Sequence, residues 1–394
     1  MRLLTAILAL VAFEAPFAAA AVLSSPLLPS LSILDESSNA IPLLSLEAYR
    51  AEFRHLRKTL HEIDLSGPAI ETDGWTHNIA EAEWPFMAFA YFGYSCANLA
   101  AIDTELRADY VDEMRFLINA MQTDRLSGFV SPHFGPPFGA GSSNVSVFVH
   151  GHFLTLAVRH RETTADAQFD ALIQKVAEAL DRAFASSDAG VLKSYRDMWW
   201  ISDNLPALAG LARYDSLFRK DARAVRERFL RTVKQHFIDG PTGLLATYVD
   251  ADRYQILQGP RGISIMYGLH FLKNVSPEFA VDQYSRARAL LVRDFLGLSA
   301  AREFPPGAEG RADIDSGPVF FGLGPSASGF AIAAAAVMND ETTAVSLLKA
   351  AALAGIPKLR NGELNYTAMP PVGQAVILFG KTELMRTRAL KKRP

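Results

Sequence analysis

Twelve segments of this chain carry helical periodicity, and they alternate between two kinds. The odd-numbered segments are amphipathic and charged, as in Tyr49-Arg-Ala-Glu-Phe-Arg-His-Leu-Arg-Lys and Asp221-Ala-Arg-Ala-Val-Arg-Glu-Arg-Phe-Leu-Arg. The even-numbered ones are apolar nearly all round and rich in small residues, as in Ala88-Phe-Ala-Tyr-Phe-Gly-Tyr-Ser-Cys-Ala-Asn-Leu-Ala-Ala and Gly329-Phe-Ala-Ile-Ala-Ala-Ala-Ala-Val. A helix that is apolar on every side has to be enclosed by protein, whereas a helix with one charged face lies outside. The periodicity predicts helices over 46–64, 78–103, 107–122, 143–161, 166–187, 202–215, 219–236, 262–274, 277–296, 324–338, 341–353 and 368–384. Little reads as strand; 243–249 and 364–367 are the stretches able to make short ribbons.

The connections alternate too. Even-to-odd links are short, as at Asp103-Thr-Glu105 and Val275-Ser-Pro277, while the odd-to-even links run over 65–77, 123–142, 188–201, 237–261, 297–323 and 354–367. Long structureless links inside a compact domain usually carry function. In a ring of helical hairpins this alternation sets every long link on one face. The expected fold is therefore all-α: an (α/α)6 toroid of six helical hairpins, formed by residues 46–394 as a single domain, with its long loops on one functional rim.

Composition narrows the function. The net charge of −3 gives no electrostatic footprint for nucleic acid. Arg2, the apolar run Leu3 to Phe13 and the small residues Ala18 to Ala21 read as a signal peptide over 1–21, so the protein is expected to be exported, periplasmic or secreted. Glu14 and Pro16 interrupt the run and argue against a stable membrane span, the alternative being an uncleaved anchor. Residues 22–45 read as a linker or N-terminal wrap. Cys96 is the one cysteine, so no intramolecular disulfide forms.

Chemistry-bearing residues gather where the long links run into the apolar helices. They include Asp73, Trp75, His77, Glu83 and Trp84, then His150 and His152, then Tyr195, Asp197, Trp199, Trp200, Asp203 and Asn204. Farther on come Tyr254, Arg261 and Tyr267, the pair Asp313 and Asp315 in Arg311-Ala-Asp-Ile-Asp-Ser-Gly-Pro, and Tyr366. Each also has a structural reading. Glu83 suits a helix dipole, Asp203 an N-cap, and either Asp313 or Asp315 a loop cap. His152 suits a satisfied core position, and Trp199-Trp200 a plug for the end of the barrel. His150 and His152 stand two apart on a helix and diverge, so they make a poor metal pair. No zinc-binding spacing occurs, and Gly317, Gly322 and Gly324 do not form a phosphate cradle, so neither metal nor cofactor is expected.

Several of these motifs resemble the linalool dehydratase/isomerase family, whose fold is an α/α six-barrel. The likeness is carried by Ala88-Phe-Ala-Tyr-Phe-Gly-Tyr, Leu99-Ala-Ala-Ile-Asp-Thr-Glu-Leu-Arg107, Gly151-His152 heading an apolar helix, and Asp313-Ile-Asp-Ser-Gly. It implies the toroid and an active-site role for His152. The chain departs from the family over 191–204, where two active-site cysteines are replaced by Tyr195, Asp197, Trp199 and Asp203. The thiol part of that mechanism does not carry over.

A cavity holding carboxylates, histidine and tryptophan walls suits general acid–base catalysis on a neutral, partly apolar small molecule, a terpenoid alcohol or a saccharide. The leading expectation is elimination of water or isomerisation. Asp313 or Asp315 would face Asp203 or Glu83 as acid and base, and His152 would hold the migrating hydroxyl. Trp84, Trp199 and Trp200 shape the pocket, with Asp73, Trp75, His77, Tyr195, Asn204, Tyr254, Tyr267 and Tyr366 as further substrate contacts. The alternative is a glycoside hydrolase or polysaccharide lyase or epimerase on the same toroid, using paired carboxylates. A third reading is a non-catalytic binding or scaffold protein, in which every rim carboxylate is tied up in caps and arginine pairs. The ring is also compatible with assembly into homo-oligomers.

Overall fold

The computed structural model describes residues 32–34, 40–72, 78–139, 144–308 and 310–391. The expected signal peptide and most of the linker fall outside the described residues, and so do Asp73, Trp75 and His77. Twelve main helices stand close to the expected positions: α1 (Leu46–His61), α2 (Ile79–Ile102), α3 (Arg107–Ala120), α4 (Val147–Thr164), α5 (Asp170–Ser186) and α6 (Ile201–Phe218). They continue with α7 (Arg223–His236), α8 (Gly262–Val275), α9 (Pro277–Leu291), α10 (Pro325–Val337), α11 (Glu341–Gly355) and α12 (Pro371–Lys391).

The even helices pack side by side, α2 on α4, α4 on α6, α6 on α8, α8 on α10 and α10 on α12, and α12 returns to α2. That last contact closes the ring. The odd helices lie outside, with α3 on α2, α5 on α4, α9 on α8, α11 on α10 and α1 on α12. Small residues let the inner helices approach. A Cβ added to Gly151 of α4 would stand 2.7 Å from the backbone nitrogen of Ala207 in α6, so at this point helix backbone meets helix backbone. At the seam, the buried Lys381 of α12 pairs with the buried Glu52 of α1, its ammonium also 3.4 Å from the Tyr366 hydroxyl. Toward the C-terminal ends of the inner helices, Arg159 donates to Asn98 at 2.6 Å, Asn98 donates to Glu383 at 2.9 Å, and Arg386 donates to Glu383 at 2.8 Å. These bonds tie α2, α4 and α12 together.

The chain holds more strand than the periodicity predicts, beginning ahead of α1 with the antiparallel pair Ser32–Leu34 (β1) and Ala40–Pro42 (β2). Trp199–Trp200 (β3), Tyr248–Asp250 (β4) and Gln255–Gln258 (β5) form one antiparallel sheet, so the ribbon expected over 243–249 sits later in the chain and gains two partners. Pro357–Arg360 (β8) and Glu363–Tyr366 (β9) form a hairpin at the ribbon expected near 364–367. The helix expected over 277–296 ends at Leu291 and continues as Val292–Phe295 (β6), paired with Leu298–Ala301 (β7). Leu296 and Gly297 turn that hairpin with φ of +49° and +76°, a geometry that no helix accommodates. The 123–142 link carries two one-turn helices, Asp124–Ser127 and Ser131–Phe134. No helix among the described residues is long and apolar enough to cross a membrane.

Gly151→Ala tests the ring contact. Alanine favours a helix over glycine by about 1 kcal/mol, but the added methyl has to push α4 from α6, and overpacking of this kind costs about 1–3 kcal/mol. The variant is expected to unfold at lower urea concentration than the wild type. An unchanged or raised midpoint would show that the two backbones do not meet there.

Candidate active site

The long links end at the N-terminal ends of the inner helices, and there seven of the anticipated side chains come together. Glu83 and Trp84 stand in the opening turns of α2, where Pro85 lacks an N–H and the freed carbonyl of Glu81 instead accepts from Arg125 at 3.0 Å. Asp203 lies in the first turn of α6. Asp315 arrives on the link to α10 and accepts from the indole N–H of Trp84 at 2.9 Å. Tyr195, on the link to α6, donates its hydroxyl proton to the Glu83 carboxyl group. His152 and Tyr267, from α4 and α8, meet at 2.8 Å.

Glu83, Asp203 and Asp315 are hemmed in by protein yet each keeps part of its surface open to solvent. Burial and the neighbouring charge of Asp315 push the Glu83 carboxyl far above its ordinary range, against the opposing effect of the Tyr195 hydroxyl. Burial raises Asp203 to about 7, with Asp315 acting in the same direction. Asp315 rises to about 6, again chiefly through burial, while the hydrogen bond from Trp84 favours its ionised form. Among the described residues no salt bridge reaches any of the three.

Asp313 behaves differently. Arg261 clasps it through two hydrogen bonds of 2.5 and 2.8 Å, which outweigh its burial and hold it below the usual carboxylate range. The same guanidinium donates to Glu303 at 2.7 Å. Glu303 is fully buried, its second oxygen has no partner, and desolvation raises it to about 7 in spite of Arg261.

His152 is fully buried, and burial lowers its pKa to about 3, so the ring is neutral. The Tyr94 hydroxyl donates to the backbone carbonyl of His152 at 3.1 Å and lies 2.9 Å from Nδ1. With that proton directed at the carbonyl, Nδ1–H donates to Tyr94 and Nε2 accepts from Tyr267. Phe86, Tyr91 and Phe148 complete an aromatic shell around the imidazole. His152 is thus a neutral, fully enclosed residue of the inner ring, both its ring nitrogens paired with tyrosine hydroxyls. His150 turns the other way, to the carbonyls of Ser146 and Pro137 at 3.0 Å each.

Other anticipated contacts are placed elsewhere. Asn204 spends its amide on Leu192, accepting from its N–H at 2.8 Å and donating to its carbonyl at 3.1 Å, which fixes the link against α6. Tyr254 packs its ring on His236 and Phe237 at the end of α7. Tyr366 belongs to the Lys381–Glu52 seam. Trp199 lies under the Lys193 ammonium and Trp200 beside Tyr248, both on β3. Glu303, Tyr91 and Tyr94 were not anticipated as site residues. Tyr91 and Tyr94 sit three apart on an otherwise apolar helix, and that spacing of two hydroxyls was the available signal.

No protein-family model matches the chain, and no curated protein matches it. Solved structures do. A family 105 glycoside hydrolase from C. acetobutylicum ATCC 824 aligns with a TM-score of 0.56 and 10% identity, over 85% of this chain and 99% of its own. A possible family 105 member from Salmonella enterica serovar Paratyphi A gives 0.58 and 15%, over 90% and 98%. The family 76 α-1,6-mannanase of a Salegentibacter species gives 0.52 and 12%, over 86% and 99%. At such identities the likeness is one of fold, and the chain is an all-α (α/α)6 toroid. The resemblance to the linalool dehydratase/isomerase family carries as far as that toroid.

The raised carboxyls have a signature in stability. Asp203 takes up its proton near pH 7 in the folded protein and near pH 4 when unfolded, as ordinary aspartates do at about 3.9. Its contribution to stability is therefore full below about pH 4 and disappears as the pH rises through about 7. Relative to wild type, Asp203→Asn should gain melting temperature steadily between pH 5 and pH 8. Parallel curves for the two proteins would show that Asp203 has an ordinary pKa.

Proposed function

We propose that the protein is an exported, single-domain, glycosidase-type enzyme that cleaves a glycosidic bond by general acid–base catalysis. The observation that carries this reading is the set of three part-exposed carboxyls at the loop end of the inner ring, none of them in a salt bridge among the described residues and each raised chiefly by burial. A single carboxyl beside His152 would have suited dehydration of a terpenoid alcohol better. Carboxylates bound up in caps and arginine pairs, as Asp313 is, would have suited a scaffold. The neighbours in fold add weight: family 105 and family 76 glycoside hydrolases, a mannanase variant in complex with α-1,6-mannotetrose, and a polysaccharide lyase.

In this mechanism Glu83 is the acid. Burial and the charge of Asp315 favour its protonated form, and it gives its proton to the departing glycosidic oxygen as the bond breaks. Asp315, with the lower pKa and the Trp84 N–H steadying its anion, takes a proton from the water that attacks the sugar carbon. Asp203 holds a substrate hydroxyl, with Tyr267 and neutral His152 behind it. Arg261 and Asp313 are positioning residues that fix the link on which Asp315 stands. An aromatic shell around His152 favours a second reading, loss of water from a hydroxylated apolar compound through the same Glu83 proton.

Screening the purified protein against oligosaccharides and aryl glycosides for reducing ends, and against monoterpene alcohols for dehydrated product, tests both readings. Glu83→Gln and Asp315→Asn are expected to lower kcat/KM by about 10²- to 10⁴-fold, the usual yield of a proton-transfer group. Both variants should stay folded. Full activity in either one removes that residue from the chemistry, and activity on monoterpene alcohols alone would replace the first reading by the second.

A further inference from the structure

The link that carries Asp313 and Asp315 continues into a feature that this chemistry does not use. Phe320 and Leu323 close a two-residue hairpin, Phe320 N–H donating to Leu323 C=O at 3.0 Å and Leu323 N–H to Phe320 C=O at 2.8 Å. The turn residues between them, Phe321 and Gly322, have φ of +51° and +77°. Successive left-handed residues of this kind favour Asn, Asp or Gly, and a bulky side chain there is strained. The chain uses the favoured solution in the β8–β9 hairpin, where Asn361 and Gly362 turn with φ of +50° and +73°. At position 321 a phenylalanine replaces the asparagine. Its ring is 74% exposed and that of Phe320 63%, the highest values for large apolar side chains among the described residues.

Neither core packing nor backbone preference accounts for this pair. Strain and an exposed aromatic surface at one point are the mark of a binding role. The turn is also tied to the cleft wall. The carbonyl of Gly322 accepts from Glu303 N–H at 2.9 Å, and the carbonyl of Glu303 accepts from Gly262 N–H at 2.7 Å. The Glu303 carboxyl shares Arg261 with Asp313. From Gly317 to Pro325 the sequence Gly-Pro-Val-Phe-Phe-Gly-Leu-Gly-Pro offers no side chain able to hydrogen-bond. Arg302 Nη1, 3.7 Å from where a Cβ on Gly322 would stand, is a donor at the base of the turn, but the turn's own side chains offer a sugar's hydroxyls no partner, whereas an apolar group needs none.

We propose that Phe320 and Phe321 form an apolar subsite beside the catalytic cleft, which seats a hydrophobic group carried by the substrate, an alkyl or aryl aglycone. This rests on the glycosidase-type reading, and the experiment separates the two. Binding of methyl, hexyl and octyl glucosides and mannosides, and of 1-hexanol and 1-octanol, is measured by calorimetry on the full chain, alongside Phe320→Ser and Phe321→Asn. In the wild type, affinity should rise about two- to fourfold per added methylene, and the slope should flatten in both variants. Phe321→Asn, which suits the turn, is expected at the same time to raise the melting temperature by about 1–3 °C.

A slope retained in both variants overturns the proposal, as does wild-type affinity independent of chain length. A lowered melting temperature in Phe321→Asn with unaltered binding assigns the pair a structural role and overturns it as well. If the sugar-free alcohols show the slope and no glycoside is cleaved, the subsite stands and the glycosidase-type reading fails. If methyl and octyl glycosides are cleaved equally well by all three proteins, that reading stands and the subsite fails.

Discussion

Six apolar helices that have to be buried side by side, pointing the same way, are the constraint on which this structure depends. A ring satisfies it, because each inner helix then has two inner neighbours and an outer cover. The parallel arrangement gathers six helix N-termini at one end, where the macrodipoles would favour anionic side chains. Glu83 and Asp203 stand in these opening turns, yet their carboxyls are pushed upward rather than down. Desolvation within the ring outweighs the dipole. A toroid thus converts ordinary helix-start acids into groups able to hold or exchange a proton near neutral pH.

The two ends of the inner ring show what decides the outcome. Glu383 is as deeply buried as any carboxyl here, but the cationic neighbours Arg386 and Arg159 overcome its burial and hold it ionised. At the loop end Arg261 does the same for Asp313, whereas Glu303 on the same guanidinium stays raised by its burial and Asp315 is only partly offset by Arg261. Glu83, Asp203 and Asp315 are in no salt bridge among the described residues. Where hydrogen bonds and cationic charge exceed the cost of burial the acid stays ionised, as at Glu383 and Asp313, and where they do not it rises, as at Glu303 and the three rim acids.

Much of this was legible in the sequence. The alternation of charged and apolar helices located the inner ring and its loop-bearing face, because burial on all sides leaves no room for charge. Gathering the polar residues at the ends of long links then brought Glu83, Trp84, His152, Tyr195, Asp203, Tyr267 and Asp315 into one list, and the structure pairs Trp84 with Asp315, Tyr195 with Glu83 and His152 with Tyr267. Pairing was not legible. Nothing in the spacing of Asp313 and Asp315 says that one is clasped by Arg261 and the other left to Trp84, because the partners come from helices far apart in the chain. Asn204 and Tyr366 read like site residues for the same reason that they are buried. Both are polar groups at link ends, and their hydrogen bonds to Leu192 and Lys381 arise only from the tertiary fold. Beyond the two expected ribbons the strands went unseen, because two to four residues of pairing leave little periodicity, and Leu296 gives no hint of a turn that glycine or asparagine normally makes.

That same disguise connects the rim's backbone to its chemistry. A chain free to choose for stability would place Asn at position 321, as it does at 361, and would give the second oxygen of Glu303 a partner. Instead the loop face joins a strained aromatic turn and an unsatisfied buried carboxyl in one hydrogen-bonded run, from Gly322 through Glu303 and Arg261 to Asp313, and carries three further acids that no salt bridge among the described residues reaches. The closed ring beneath holds because its inner helices also pack on one another through apolar and small residues along their length. Separation of the two tasks, cohesion in the inner wall and strain on the rim, is what lets one face depart from its most stable arrangement while the fold remains intact.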